Sequence, residues 1–149
     1  REEIAWIKNS STPLNTSPRN LSRRYEKIMI FAREGVDYNT NKKKGVITNG
    51  QQFYKKMDNV IFAKNKDTHN DAPYHSATYS KELVRQIMRI YYTRGSYIID
   101  PFAGLGTTIH SALQNGMHGL GIDIDLDYVN YANSIIEDIK KQTSLDQYI

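Results

Sequence analysis

The stretch that decides the fold lies at residues 96–108 and reads SYIIDPFAGLGTT. Its first half is apolar and has the length of a buried strand, which ends at Asp100. Gly104 and Gly106 follow, and two threonines then open a helix. Glycines let the backbone approach a ligand closely, and the free N–H groups of a helix N-terminus attract a carboxylate or phosphate. The pattern therefore predicts a strand, a ligand-binding turn and a helix.

An acidic residue at the end of the next strand is the second part of this signal. Residues 119–125 read GLGIDID, and Asp123 stands 17 residues after Gly106. In nucleotide-binding βαβ units, an acid about 20 residues beyond the glycine loop accepts hydrogen bonds from ribose hydroxyls. A nicotinamide site would need a further glycine at position 109, where this chain has Ile109. The residues thus favour a ribose-containing cofactor other than a nicotinamide nucleotide.

The segments around this loop alternate between helical and strand patterns. Apolar residues at helical spacing predict a helix that begins after Ser80 and ends before Gly95. We predict a strand at residues 97–99, a helix at about 107–115 capped by Gly116, and a strand at 118–123. A last helix, with Asp125 as the candidate N-cap, carries an apolar stripe: Tyr128, Ala132, Ile135, Ile136 and Ile139. This order predicts an α/β fold with a partial, Rossmann-like doubly wound sheet.

The N-terminal half carries weaker strand signals separated by polar segments. We predict strands at residues 3–8, 25–33 and 59–63, with Ile28, Ile30 and Ala32 on one side of the second strand. The first two strands are expected to form an antiparallel edge of the sheet. Residues 35–52 are polar, basic and punctuated by glycine, so we predict a mobile loop or small insert there.

The composition excludes several classes of protein. The chain has 149 residues, a net charge of +4, a sequence pI near 9.2 and no cysteine. Disulfides, cysteine-based zinc sites and thiol nucleophiles are therefore excluded. The histidines have no metal-like spacing, and no apolar run approaches the ~20 residues that span a bilayer. We expect a cytoplasmic protein that binds neither a metal nor a membrane.

The glycine loop resembles a motif of a known family. The run DPFAGLGTT at residues 100–108 resembles the S-adenosylmethionine motif of the DNA N6-adenine and N4-cytosine methyltransferases, commonly DPF-x-G-S-G-TT. Leu105 stands in place of the serine, and residues 121–123 (GID) resemble the family's next motif. The resemblance implies a class I methyltransferase fold with S-adenosylmethionine as the cofactor.

A second matching segment lies upstream of the loop. HSATYS at residues 75–80 resembles the segment that precedes the glycine loop in the subgroup whose catalytic half comes first, although serines at positions 76 and 80 replace two prolines. In that family this segment lies against the cofactor. The resemblance therefore assigns cofactor binding to a set of residues in both motifs: His75, Ala77, Tyr79, Asp100, Pro101, Phe102, Ala103, Gly104, Gly106, Thr107, Thr108 and Asp123.

The catalytic motif of this family is absent from the sequence. That motif is Asp, Asn or Ser followed by Pro-Pro and an aromatic residue, whereas the four prolines of this chain are isolated. In the order that the resemblance suggests, the motif would lie before Arg1, so we assign no catalytic residue. The resemblance divides the chain into a DNA-facing region (residues 1–35), a variable target-recognition loop (36–74) and a cofactor-binding part (75–149).

These features favour a fragment of a DNA methyltransferase that modifies the amino group of adenine or cytosine. Double-stranded DNA is the expected partner, and we expect its phosphates to contact a basic and polar set: Arg19, Asn20, Arg23, Arg24, Lys42, Lys43 and Lys44. Two alternatives stay open, namely a non-catalytic cofactor-binding subunit of a split methyltransferase and an RNA or small-molecule methyltransferase. A second copy of the chain and a missing N-terminal half both stay open as protein partners.

Overall fold

The computed structural model describes residues 2–11, 16–36, 40–67, 78–91, 93 and 95–146, and their elements are of the α/β class. The strands within these ranges are β1 (Glu2–Lys8), β2 (Tyr25–Ile30), β3 (Lys44–Thr48), β4 (Gln51–Tyr54), β5 (Val60–Ala63), β6 (Tyr97–Asp100) and β7 (His118–Gly121). The helices are α1 (Lys81–Tyr91), α2 (Thr107–Gln114) and α3 (Leu126–Asp146).

β1 is the central strand of a three-stranded sheet. It runs antiparallel to β2, with Ile4 opposite Ile28, and parallel to β5, with Trp6 opposite Ile61. Successive side chains of a strand point to opposite faces, so Ile4, Trp6 and Lys8 share one face, and all three are buried. The predicted strand β1 and its antiparallel pairing with β2 are confirmed, but in the described residues the two strands belong to a sheet separate from β6 and β7, with β1 at its centre, and do not form an edge of that pair.

Helix α1 connects this sheet to the C-terminal part of the chain. Leu83 packs into the core of the β2–β1–β5 sheet, and Val84 packs into a second cluster that contains Ala112 of α2. The helix begins after Ser80, whose buried hydroxyl accepts a hydrogen bond from the Leu83 amide at 3.3 Å and donates one to the Lys64 carbonyl at 2.9 Å. The serine that replaces a motif proline is therefore the N-cap of α1.

Strands β6 and β7 form a parallel pair joined by α2. Because they are parallel and in register from Tyr97 opposite His118 to Asp100 opposite Gly121, their carboxyl ends meet at one edge. Gly119 lets α2 lie close to this pair, since a Cβ there would stand 2.9 Å from the Cγ2 of Ile109. This βαβ unit was predicted from the glycine loop, and it places Asp100, the last residue of β6, at the same edge as Asp123, which lies two residues after β7.

The segment predicted as a mobile loop or small insert contains a β-hairpin, so the loop interpretation is wrong for part of it. β3 and β4 pair antiparallel across a turn in which Asn49 and Gly50 have φ angles of 51° and 76°. Two consecutive positive φ angles match the tight turns that best fit the twist of paired strands. At the base of the hairpin, the backbone amide of Asn41 donates to the Ile90 carbonyl at 2.6 Å, near the end of α1.

Two strand ends also differ from the predictions. β2 stops at Ile30, which pairs with Glu2, so Ala32 is exposed and outside the strand. β7 stops at Gly121, which pairs with Asp100. In both places the strand ends at the last residue of the paired register, although the Ile122 amide still donates to the Asp100 carbonyl at 2.8 Å just beyond β7.

Helix α3 confirms the predicted last helix and its apolar stripe. Tyr128, Ala132 and Ile136 are half-buried along one side of the helix. The Asp125 carboxylate accepts a hydrogen bond from the Asp127 amide at 2.9 Å, as expected of an N-cap. Among the helices of the described ranges, none combines the length and the apolar character needed to cross a membrane.

The packing of β1 gives a test of the N-terminal core. Replacing Ile4, which is 1% exposed, with alanine removes buried methyl groups and leaves a cavity, so Ile4→Ala is expected to lower the free energy of unfolding by about 3 kcal/mol. Met29→Ala is the control, because Met29 lies on the paired strand with 49% of its surface exposed and should cost less than about 1 kcal/mol. Urea denaturation checks both values. Equal losses for the two variants would contradict this assignment of the core.

Candidate cofactor site

The turn between β6 and α2 is built on glycine backbone. Gly106 is the N-cap of α2 with a φ of 79°, a left-handed conformation that glycine adopts without strain. Its amide donates to the Ala103 carbonyl at 2.8 Å, and its carbonyl accepts from the His110 amide at 2.8 Å. A glycine N-cap has no side chain to accept hydrogen bonds from the first N–H groups of α2. This helix end therefore presents partial positive charge and N–H donors to the site.

Asp123 joins the glycine loop to the turn that follows β7. Its Oδ2 accepts a hydrogen bond from the Gly104 amide at 2.7 Å, and its Oδ1 accepts one from the Asp125 amide at 3.0 Å. The Ala103 amide also donates to the Ile122 carbonyl at 2.9 Å, so the two turns are linked at adjacent positions. A carboxylate has about four acceptor positions, so these contacts are compatible with further donors such as ribose hydroxyls.

A second hydrogen-bonded group links the segment before α1 to the glycine loop. The Tyr79 hydroxyl donates to Oδ2 of Asp100 at 3.4 Å and lies 2.6 Å from the Thr108 hydroxyl. The other carboxylate oxygen of Asp100 accepts from the Phe102 amide at 3.1 Å. Burial raises the pKa of the Tyr79 hydroxyl, and the charge of Asp100 also raises it, whereas the hydrogen bond with Thr108 lowers it. The phenol therefore stays protonated and able to donate.

A cavity of about 170 Å³ opens between the glycine loop, β7 and α3. Four of the predicted site residues line this cavity: Ala103, Gly104, Gly106 and Asp123. The other walls were not predicted from the sequence and are formed by α2, β7 and α3: Ile109, Gly119, Leu120, Gly121, Val129, Ala132, Asn133 and Ile136. The apolar stripe of α3 was the available signal, because part of that stripe faces the cavity instead of a filled core.

The other predicted cofactor residues within the described ranges are not part of the lining of this cavity. Pro101 and Phe102 are exposed on the turn, with Phe102 87% exposed, whereas Thr107 is buried at the start of α2. His75 and Ala77 lie outside the described residues, and their predicted role stays a prediction.

The predicted DNA-contacting residues are exposed and lie on elements other than the glycine loop. Arg19, Asn20 and Arg23 lie in the segment before β2. Arg24 lies beside them, and its guanidinium donates to the carbonyl of Lys8 at the end of β1 at 3.3 Å. Lys42 and Lys43 precede the β3–β4 hairpin, and Lys44 is the first residue of β3.

The fold and the site together define a class of protein. A parallel βαβ unit with a glycine turn, a helix N-terminus without a capping side chain and a facing carboxylate is the arrangement of nucleotide-cofactor-binding α/β domains. The chain belongs to the DNA methylase family of N6 and N4 methyltransferases (N6_N4_Mtase), which matches residues 1–134. The expected family is thereby confirmed.

Individual relatives agree with this family. The type II methyltransferase M.MthZI of Methanothermobacter thermautotrophicus is 23% identical over 154 residues, covering 93% of this chain and 43% of that protein. The fold is similar to a crystal structure of an M1.HpyAVI–SAM complex, with a TM-score of 0.66, 22% identity and coverage of 91% of this chain and 61% of that chain. It is also similar to the cytosine-N4-specific PvuII DNA methyltransferase, with a TM-score of 0.69, 13% identity and coverage of 94% and 54%. The chain thus spans roughly half the length of these proteins.

Gly106 gives a test of the loop with a matched control. A Cβ at Gly106 would stand 2.9 Å from the Ala132 Cβ and 3.0 Å from Nε2 of His110, whereas one at Gly95 would meet nothing within 4 Å. Both glycines have a left-handed φ, so both alanine variants carry a backbone cost of about 1 kcal/mol. Gly106→Ala is expected to lose about 2–4 kcal/mol of unfolding free energy in urea denaturation because of the added overlap. Equal losses of unfolding free energy for the two variants would show that the close contact at Gly106 does not affect stability.

Proposed function

We propose that this chain forms the cofactor-binding and DNA-contacting part of a DNA methyltransferase that transfers a methyl group from S-adenosylmethionine to an exocyclic amino group of adenine or cytosine. The observation that carries the proposal is the contact between Gly104 and Asp123 beside the start of α2, in a chain that belongs to this family. The names of the relatives support it, because M.MthZI is a type II methyltransferase and a similar fold was solved as a SAM complex.

The charges of the site fit the amino-acid end and the ribose of S-adenosylmethionine. The N-terminus of α2 offers N–H groups to the carboxylate of the methionine part. Gly104 and Gly106 leave room for that part to approach the backbone, and Asp123 accepts hydrogen bonds from the ribose hydroxyls. Asp100, at the end of β6, adds a second negative charge that complements the ammonium and sulfonium groups.

The cavity holds only part of such a cofactor. Its volume of about 170 Å³ is below the ~300–1,000 Å³ of pockets that enclose whole ligands of this size. The rest of the cofactor would lie along the exposed carboxyl edge of β6 and β7, where Phe102 and Ile124 present apolar surface to solvent. An adenine ring and the predicted residue Phe102 would each lose apolar surface to water in that position.

The bound cofactor supplies an electrophilic methyl group, and the residues of this chain bind and orient it. In-line placement of the methyl group and the amine is the main requirement of the transfer. We assign no proton transfer to Asp100 or Asp123, because both carboxylates accept backbone N–H groups that hold the glycine loop. The base would be flipped out of the helix to reach the cofactor.

The basic residues would hold the phosphate backbone of double-stranded DNA. Lys42, Lys43 and Lys44 lie at the base of the β3–β4 hairpin on one side, and Lys55 and Lys56 follow it on the other. A two-stranded ribbon fits the major groove of DNA, and the surrounding lysines would then face phosphates. We propose the same phosphate contacts for Arg19, Asn20, Arg23 and Arg24, and a cytoplasmic location where DNA is available.

Asp123 gives the first test of this function. Asp123→Asn keeps the size of the side chain and removes its charge, so the dissociation constant for S-adenosylmethionine should rise roughly tenfold to hundredfold in isothermal titration calorimetry of the full-length protein. Asp127→Asn is the matched control, because Asp127 is an exposed acid in the first turn of α3 and should bind as the wild type does. Undiminished binding by Asp123→Asn, or binding of a nicotinamide nucleotide in place of S-adenosylmethionine, would overturn the cofactor assignment.

The lysines before the hairpin give a second test. Removing three phosphate contacts by Lys42→Ala, Lys43→Ala and Lys44→Ala together should weaken DNA binding and reduce the slope of log affinity against log salt by about 3. Replacing Lys140 and Lys141, which pair with acids on α3, should leave the slope unchanged. Fluorescence anisotropy with duplex DNA over a salt series measures both. A slope that the triple variant does not change would remove these lysines from the DNA interface, and preferential methylation of RNA would favour the RNA alternative.

A further inference from the structure

His110 is a buried polar residue directly behind the glycine loop. It lies in the first half of α2 and is 3% exposed. Its Nε2 is 3.0 Å from the carbonyl oxygen of Ala132, a residue of α3. Because a carbonyl can only accept, Nε2 carries the proton and donates it. His110 is not among the site residues predicted from the sequence.

The imidazole ring is in contact with both walls of the cavity. A Cβ on Gly106 would meet Nε2 of His110 at 3.0 Å and the Ala132 Cβ at 2.9 Å, so the loop, the ring and α3 meet at one point. Gly106 and Ala132 also line the cavity, on opposite elements. The hydrogen bond therefore links α3 to α2 next to the glycine loop. Asp123, which precedes α3 and binds the Gly104 amide, depends on the spacing between α3 and this loop.

We infer that His110 is a positioning residue that sets the spacing between the glycine loop and α3, and with it the affinity of the site for the cofactor. This inference rests on the proposed function, and it adds a residue that touches neither the cofactor nor the DNA. The Ala132 carbonyl lies in the interior of α3, where the helix supplies its own N–H donor. Loss of the histidine bond therefore leaves the Ala132 carbonyl with a hydrogen-bond partner. The expected effect is on the spacing between the glycine loop and α3.

The charge state of the ring suits this role. Burial lowers the pKa of His110, and the charge of Lys81 on α1 also lowers it, whereas the hydrogen bond to Ala132 raises it. The ring also lies near the positive N-terminus of α2, which disfavours an imidazolium. The neutral ring thus donates one hydrogen bond and brings no charge into the loop.

Two amide variants test whether the position of the hydrogen-bond donor matters, or only the presence of a polar side chain. In His110→Gln the amide nitrogen stands where Nε2 stands, whereas in His110→Asn it stands where Nδ1 stands, so only glutamine reaches Ala132. By isothermal titration calorimetry of the full-length protein, His110→Gln should bind S-adenosylmethionine within about twofold of the wild type, and His110→Asn roughly fivefold or more weakly. Methylation kinetics should show the loss for His110→Asn in KM for the cofactor, with kcat nearly unchanged.

The same samples distinguish positioning from a general effect on folding. A merely structural histidine would lower the melting temperature and the fraction of folded protein in His110→Asn, while the folded fraction would bind the cofactor with wild-type affinity. That result, or equal affinities for the glutamine and asparagine variants, would overturn the inference and leave the proposed function in place. A wild-type protein that binds no S-adenosylmethionine would overturn both.

Discussion

The hydrogen bond from the Gly104 amide to the Asp123 carboxylate joins the two turns, after β6 and after β7, on which the candidate site depends. β6 and β7 are parallel and in register, so the turns that leave them begin at the same edge. Each turn alone is a short irregular segment with free backbone groups. The carboxylate satisfies the Gly104 and Asp125 amides together, which fixes the glycine loop and the start of α3 relative to each other.

The site is held from the N-terminal side as well. α1 packs through Leu83 on the β2–β1–β5 sheet and through Val84 on the cluster that contains α2. The Tyr79 hydroxyl, just before this helix, reaches Asp100 and Thr108 at the two ends of the glycine turn. A shift of α1 relative to the sheet would therefore be transmitted to the turn through a partly buried hydrogen-bonded group. The Ser80 cap adds a fixed start to the helix that carries this connection.

The parts of the site that could be predicted from sequence are those with local causes. A strand, a glycine turn and a helix N-terminus are contiguous, so residues 96–108 were sufficient to predict them, and residues 119–125 added their acidic partner Asp123. The contact of His110 with Ala132 joins residues 22 apart and depends on how two helices pack, which no spacing rule contains. The β3–β4 hairpin was missed for another reason. Apart from the half-buried Gln52, the residues of its strands are exposed, so they lack the alternation of apolar and polar residues that identifies a half-buried strand.

The exposure of the two strands is relevant to the function of the hairpin. Val46 and Ile47 are 72% and 70% exposed, and a two-stranded ribbon with no covered face is at best marginally stable in water. The Asn49–Gly50 turn sets its register, and Asn41 fixes its base at the carboxyl end of α1, through the carbonyls of Arg89 and Ile90. Such a ribbon is ordered at its two ends and lacks packing between them, so a groove that covers its side chains would supply the missing burial. Under the proposed function this groove belongs to duplex DNA, whose phosphates would also complement the lysines on both sides of the hairpin.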